Sequence, residues 1–408
     1  MKLFLSIFLS FGLYCAYSQG NIQYEKLDFG KYSVGFTDSL IIQEEINYQY
    51  KSYSGGTPIL LKIWHPLKKK PNSPVLKFED FHKSKNLNSN FAEIEADLIN
   101  KFDAYYENNI LRQDYIHFDE ISYPLLGSAV LLSYIKKTKS LSHEADLKSN
   151  QHFPVLIYHH GSRGSAFDNH VMAEYLASHG YIVIAGNFNL PYENKPYGFT
   201  KNDPYDTRLS ESVINFAQDL DSTAKIGFIG HSWGGQIGFS LLPNHDKVSA
   251  FVSMETTLEL WSRKQVKAKW PRLCGNIMNN YSNYNLPILM FANAGEETPL
   301  SFDFFQPIQS PQLIFASCKK EFVHESYASY YSSRLIYRQQ FTQADALEFK
   351  SQVEYYGQHL KLIRTFMDQN LKGYGPTYSN FEDLFYLKIK NKDSFTKDQK
   401  PAVVNSPN

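Results

Sequence analysis

The sequence predicts an α/β fold built on a mostly parallel central sheet with helices on both faces. Three observations predict it. Short apolar runs that read as buried strands alternate with helical patterns from residue 153 to residue 316, the mark of a parallel sheet with right-handed crossovers. One of those runs, Ile226 to Ile229, passes directly into Gly230-His231-Ser232-Trp233-Gly234, and an apolar run with helical spacing follows. Finally, 408 residues with 43% hydrophobic content are enough for one large core plus insertions.

Taken in order, the chain opens with Lys2, an apolar or small run from Leu3 to Tyr14, and small residues at Ala16 and Ser18. This pattern predicts a signal peptide over residues 1–18, a mature chain starting at Gln19, and an exported protein, secreted or periplasmic. The run is shorter than the roughly 20 apolar residues a bilayer span needs, and no other segment reads as transmembrane. Cys15 follows the bulky Tyr14, which suits lipoprotein processing poorly. Residues 19–50 are weakly patterned. Thr57 to His65 alternates like a leading antiparallel strand, which Pro66 and three lysines end. Residues 71–150 read as an insertion beside the site, either a partial lid or a plain surface excursion. They carry a helix over Phe91 to Tyr106, capped by Asn88 or Ser89, and a second over Ser128 to Ile135.

The α/β core then starts. Phe153 to His159 is a strand; Asn169 to His179 is a helix closed by Gly180. Tyr181 to Ala185 is the next strand, residues 187–208 form a long loop, and Glu211 to Asp221 is a helix. Beyond the glycine-flanked serine come strands over Val248 to Met254, Leu286 to Ala292 and Gln312 to Ala316. A long amphipathic helix over Thr342 to Leu371 is ended by Gly373. The whole reads as one domain over residues 19–389, followed by a loose, charged tail from Lys390.

Composition excludes some classes. Lys+Arg and Asp+Glu both number 41, and no basic patch with interleaved aromatics stands out, so nucleic acid is not an expected partner. No Cys/His spacing suggests zinc. With Cys15 removed in the signal, Cys274 and Cys318 are left, as one disulfide or as two buried thiols.

The chemistry centres on Ser232. A serine between these glycines sits on a sharp strand-to-helix turn that strains its backbone, with a helix N-terminus aimed at it. A serine hydroxyl needs a base within reach and an acid to orient that base. In sheets of this kind the chain order is serine, acid, histidine. Downstream histidines are His245, on a loop; His359, inside the long helix; and His324, in a loop after the last strand. His324 is the expected base. The acid is Glu255, at the end of the strand after the elbow, or Glu296 or Glu297, after the next strand. An oxyanion hole needs two backbone N–H groups. Trp233 and Ser162, the latter in the loop His159-His160-Gly161-Ser162-Arg163-Gly164, are the expected donors. Arg163 is expected to face solvent, His159 and His160 to brace the loop, and His231 to be buried.

The segments FPVLIYHHGSRGS, GHSWGG, the strand ending at Glu255, and FVHESY resemble the α/β-hydrolase superfamily. Within it the chain looks like the platelet-activating-factor acetylhydrolase branch, close to dienelactone-hydrolase-like esterases. The resemblance covers about residues 55 to 370. Trp64 and Pro66 match that branch's early "IWYP"-type motif, with His65 in place of the tyrosine. His160-Gly161-Ser162 matches its HG-x loop, and Ser232 its elbow serine. The branch places its acid where Glu255 stands, 255 − 232 = 23 residues after the serine, but as Asp. The resemblance implies an α/β-hydrolase fold that hydrolyses short-acyl carboxylic esters, of lipids among others, through an acyl-enzyme, with no metal or organic cofactor. A serine peptidase or amidase on the same fold, or a binding protein that has lost catalysis, are the alternatives.

Overall fold

A computed structural model describes residues 24, 27–69, 71–85, 87–107, 128–147, 152–192, 206–293, 302, 304–320, 322, 324–329 and 346–391. The signal segment 1–18, Glu296, Glu297, residues 193–205 of the long loop and the tail beyond Asn391 lie outside these residues. The strands are β1 (Ser33–Tyr50), β2 (Tyr53–Leu67), β3 (Val75–Lys77), β4 (Lys139–Glu144), β5 (Val155–His159), β6 (Ile182–Gly186), β7 (Ile226–His231), β8 (Val248–Met254), β9 (Ile288–Asn293), β10 (Gln312–Cys318) and β11 (Phe385–Asn391). The helices are α1 (Ser89–Tyr105), α2 (Ser128–Lys137), α3 (His170–Ser178), α4 (Arg208–Leu220), α5 (Trp233–Leu241), α6 (Arg263–Lys269), α7 (Pro271–Asn279) and α8 (Ala346–Met367).

The chain divides into two compact units. The first comprises residues up to Phe153, Arg163–Phe199 and Glu325–Leu360. Its strands run in the order β6-β2-β1-β4-β3, with β1 and β2 a long antiparallel hairpin and β4 parallel to β1. Strand β1 departs from the expectation for residues 19–50. Its outward positions are only half covered, so its apolar alternation is diluted, and pairing with β2, buried from Gly56 to Pro66, sets its conformation. Helix α1 starts as expected: the Asn88 side chain accepts the Phe91 N–H. The core of this unit is a cluster of rings that includes Phe36, Trp64, Phe78, Phe81, Phe102 and Phe167. Buried Lys62 reaches Ser84 at 2.7 Å and Glu95 at 3.2 Å, which satisfies its charge inside that core.

The second unit comprises Pro154–Ser162, Thr200–His324 and Lys361–Asn408. Its strand order is β5-β7-β8-β9-β10-β11. Five strands are parallel, and β11 closes the edge antiparallel to β10. Strands β5 and β7 are buried along their whole length, as the continuous apolar runs require. Strand β11 takes in Lys390, which pairs with Leu313, so the chain there is a strand and not the start of a loose tail. Cys274 and Cys318 are both buried free thiols, which decides between the two expectations for them. Among the described residues no helix is long and apolar enough to cross a membrane.

Candidate active site

Gly161, Ser162, Ser232, Glu255 and His324 all lie within the second unit. Strand β7 ends at His231, and Ser232 follows with φ 53° and ψ −115°, a region that a residue with a Cβ occupies only under constraint. Three hydrogen bonds hold it there. Its N–H donates to Met254 O on β8, and its carbonyl accepts from the N–H groups of Gly235 and Gln236. A Cβ on Gly234 would overlap the His159 carbonyl, so only glycine lets α5 approach the end of β5. A Cβ on Gly161 would lie 3.1 Å from His231 Nδ1 and 3.2 Å from Ser232 Cβ. The loop carrying Ser162 therefore lies against the serine. Ser162 itself is exposed in a turn, and Trp233, the first residue of α5, is half-buried with its indole edge-on to His159 at 5.0 Å.

Glu255 leaves the end of β8 with φ 46°, buried, its N–H donating to Phe291 O on β9. Its Oε1 lies 2.9 Å from His324 Nδ1. A neutral imidazole with Nδ1–H turned to a carboxylate has Nε2 as its basic nitrogen. The turn behind Glu255 is unusual for its residue types: Thr257 also has positive φ, at 72°. Glu259 fastens it. Its Oε1 accepts from the Thr256 N–H at 3.1 Å, and its Oε2 accepts from the Thr256 hydroxyl at 2.8 Å. Gln236 of α5 donates from Nε2 to the Thr256 carbonyl at 2.8 Å, tying the acid turn to the helix that begins behind Ser232. Burial pushes the Glu259 carboxyl up to about 7, and the charge of Glu255 adds to the shift.

His324 is one-third exposed at its side chain and opens a 3₁₀ turn, His324–Tyr327. Its carbonyl lies 3.1 Å from His231 Nε2, and the two rings are 5.0 Å apart. Burial, aided by the neighbouring His324, lowers His231 to about 3 and keeps it a neutral donor. Sequence reasoning placed His231 in the interior; that it holds the backbone of the expected base was not legible from a single residue inside a motif.

The remaining expected residues fall as follows. His159 and His160 are buried, each turning Nδ1 to a backbone carbonyl of its own loop, at 2.9 and 2.7 Å. Burial lowers His160 to about 4. Among the described residues no group of His, Cys, Asp and Glu could hold a metal ion. His245 is half-buried beside a 3₁₀ turn, and His359 is buried in α8 with Nδ1 on the Tyr355 carbonyl. Arg163, in the first unit, is exposed, its guanidinium 5.5 Å over the Tyr105 ring. The structure thus joins Glu255 and His324 directly and sets Ser232, Trp233 and Gly161 around one elbow. Glu259, Thr256 and Gln236 had no sequence signal beyond a second glutamate four positions after the first.

A sequence model of the alpha/beta hydrolase fold matches residues 154–355. Among curated proteins, none matches the chain by sequence. Among solved structures, a ferulic acid esterase from Streptomyces cinnamoneus is similar, with 13% identity and a TM-score of 0.50 over 88% of this chain and 96% of that one. An acylaminoacyl peptidase from Pyrococcus horikoshii is similar over 58% of this chain and 40% of that one, with 17% identity and a TM-score of 0.39. An esterase from Pyrococcus furiosus matches over 51% of this chain and 83% of that one, with 18% identity and a TM-score of 0.32.

Proposed function

The chain belongs to the α/β-hydrolase superfamily, and from that premise we propose that it is an exported serine esterase that cleaves short-acyl carboxylic esters. The observation that carries the proposal is the 2.9 Å contact from Glu255 to His324, in the unit where Ser232 occupies a strained elbow.

In this reading His324 takes the Ser232 proton as the hydroxyl attacks the ester carbonyl. The backbone N–H groups of Ser162 and Trp233 receive the oxyanion. His324 then passes the proton to the departing alcohol, and water, activated the same way, releases the acid and restores Ser232. Glu255 fixes the tautomer and offsets the imidazolium charge. Chemistry of this kind calls for no metal or organic cofactor. Glu255 is favoured over Glu296 and Glu297 because its carboxylate is hydrogen-bonded to the base. The resemblance to the acetylhydrolase branch supports a short acyl group.

The test is a panel of p-nitrophenyl esters from acetate to dodecanoate beside aminoacyl anilides. Turnover is expected to be fastest on the shortest esters and negligible on the anilides; rapid anilide cleavage would assign the site to a peptidase instead. Export is checked separately. The protein recovered from the expressing cell's exterior or periplasm is expected to begin at Gln19, and an intact Met1 on cytoplasmic protein would contradict it.

A further inference from the structure

Whole-chain neutrality conceals a cationic surface. No Asp or Glu occurs between Glu259 and Glu296, while Arg263, Lys264, Lys267, Lys269 and Arg272 fall within ten residues of one another. The expectation of no basic patch with interleaved aromatics fails here, because Trp261 and Trp270 bracket the same stretch. Folding brings these residues together. Helix α6 buries Val266 and leaves Arg263, Lys264, Lys267 and Lys269 exposed. The two half-buried indoles, one before and one after the helix, stack with centroids 5.0 Å apart and planes 18° from parallel. Lys269 Nζ sits 4.8 Å from one ring and 5.0 Å from the other. Leu260 adjoins them and is 48% exposed, one of few large apolar side chains so open among the described residues.

Among the described residues, nearby carboxylates do not neutralise this face. Glu259 is buried and engaged with Thr256. Asp206 is paired with Arg208 and also senses Arg272, which is therefore left out of the patch. What is left is an exposed leucine, an amphipathic tryptophan pair and a row of lysines on one short element. Indoles and leucine suit the depth of lipid headgroups, and lysines suit anionic headgroups. A soluble polyanion would use the lysines but has no use for Leu260.

We propose that the face formed by Leu260, Trp261, Lys264, Lys267, Lys269 and Trp270 docks on an anionic phospholipid surface. The face follows the acid turn in the chain, since the N–H groups of Leu260 and Trp261 close onto the carbonyls of Thr257 and Leu258. Docking there brings to lipid the segment that directly follows the acid turn in the chain. It is a separate property from the hydrolysis, and Ser232→Ala is expected to leave it intact.

The experiment is co-sedimentation of the mature protein with phosphatidylcholine vesicles and with vesicles containing 30% phosphatidylglycerol, at low and high salt. Binding is expected only to the anionic vesicles, weakening as salt rises. Lys264→Glu with Lys267→Glu, both on exposed positions, should weaken it at least about 30-fold, and Trp261→Ser with Leu260→Ser should weaken it while the lysines remain. Lys388→Glu, on exposed β11, should change nothing. No binding to anionic vesicles, equal binding by the lysine variant, or capture by heparin with indifference to vesicles would each overturn the proposal.

Discussion

Glu259 is the residue whose removal would be most informative after the candidate catalytic ones. It touches neither Ser232 nor His324 in the contacts described, yet it clamps the N–H and the hydroxyl of Thr256 next to Glu255. Glu255→Gln is expected to lower kcat about 10²- to 10⁴-fold with little change in KM, whereas Glu297→Gln should leave kcat near wild type. The reverse pattern in steady-state kinetics would move the acid to the later strand. Glu259→Gln should act more mildly on kcat, and its clearer signature is in stability. A carboxyl raised from 4.5 to about 7 by burial favours the protonated, folded form. Its contribution is complete below pH 4.5 and is lost as pH rises through 7. In urea denaturation the stability of the wild type minus that of Glu259→Gln should therefore fall as pH rises from 5 to 8; a difference that stays constant with pH would contradict it. At this scale the sequence singled out Ser232 and His324 as candidates, because a glycine-flanked serine and a fixed chain order are local signals. It left Glu255 and Glu297 unresolved, because each simply follows a strand. Glu259 was illegible, since its role exists only once two non-glycine residues adopt positive φ and fold it back.

Among the elements, the junction of β7 and α5 carries the strain, and its neighbours tolerate little. Gly234→Ala drives a methyl into the His159 carbonyl, backbone against side chain, with no flexible end to yield. A stability loss of about 2 kcal/mol or more is expected, read as a lower urea midpoint together with lost esterase activity. Retention of both would mean that α5 does not approach β5 as described. The parallel strands were readable because both their faces are buried and the sequence shows it as unbroken apolar runs. Strands β1, β4 and β11 were not. Each has one face open or half-open, and each is defined by its partner's register more than by its own composition. Helices α6 and α7 escaped for a related reason. They are seven and nine residues long and bury only one and three apolar side chains, so no continuous apolar run marks them as it marks the nine-residue α3 and α5.

For the whole molecule, the buried histidines set the response to acid. Burial lowers His160 to about 4, and His170, His231 and His359 to about 3. Each is neutral when folded and gains a proton on unfolding below its ordinary value. Their stabilisation is full above pH 6.5 and is lost as pH falls toward 4 and 3, at about 1.4 kcal/mol per pH unit for each. Glu259 opposes this, as do Asp38, Asp103 and Glu174, whose carboxyls burial also raises. Acid unfolding followed by circular dichroism is expected near pH 5, above the ordinary carboxylate range; a chain still folded at pH 3.5 would show that these side chains are not held neutral. Fold class was thus readable from composition and motif, and so was the candidate pair Ser232 and His324, whereas this titration behaviour follows from packing alone. The most direct test of the central claim is intact-mass analysis after treatment with a fluorophosphonate. One adduct per chain, mapped to Ser232 and absent from Ser232→Ala and His324→Ala, is the predicted result. An unlabelled wild type, or an adduct that survives Ser232→Ala, would contradict it.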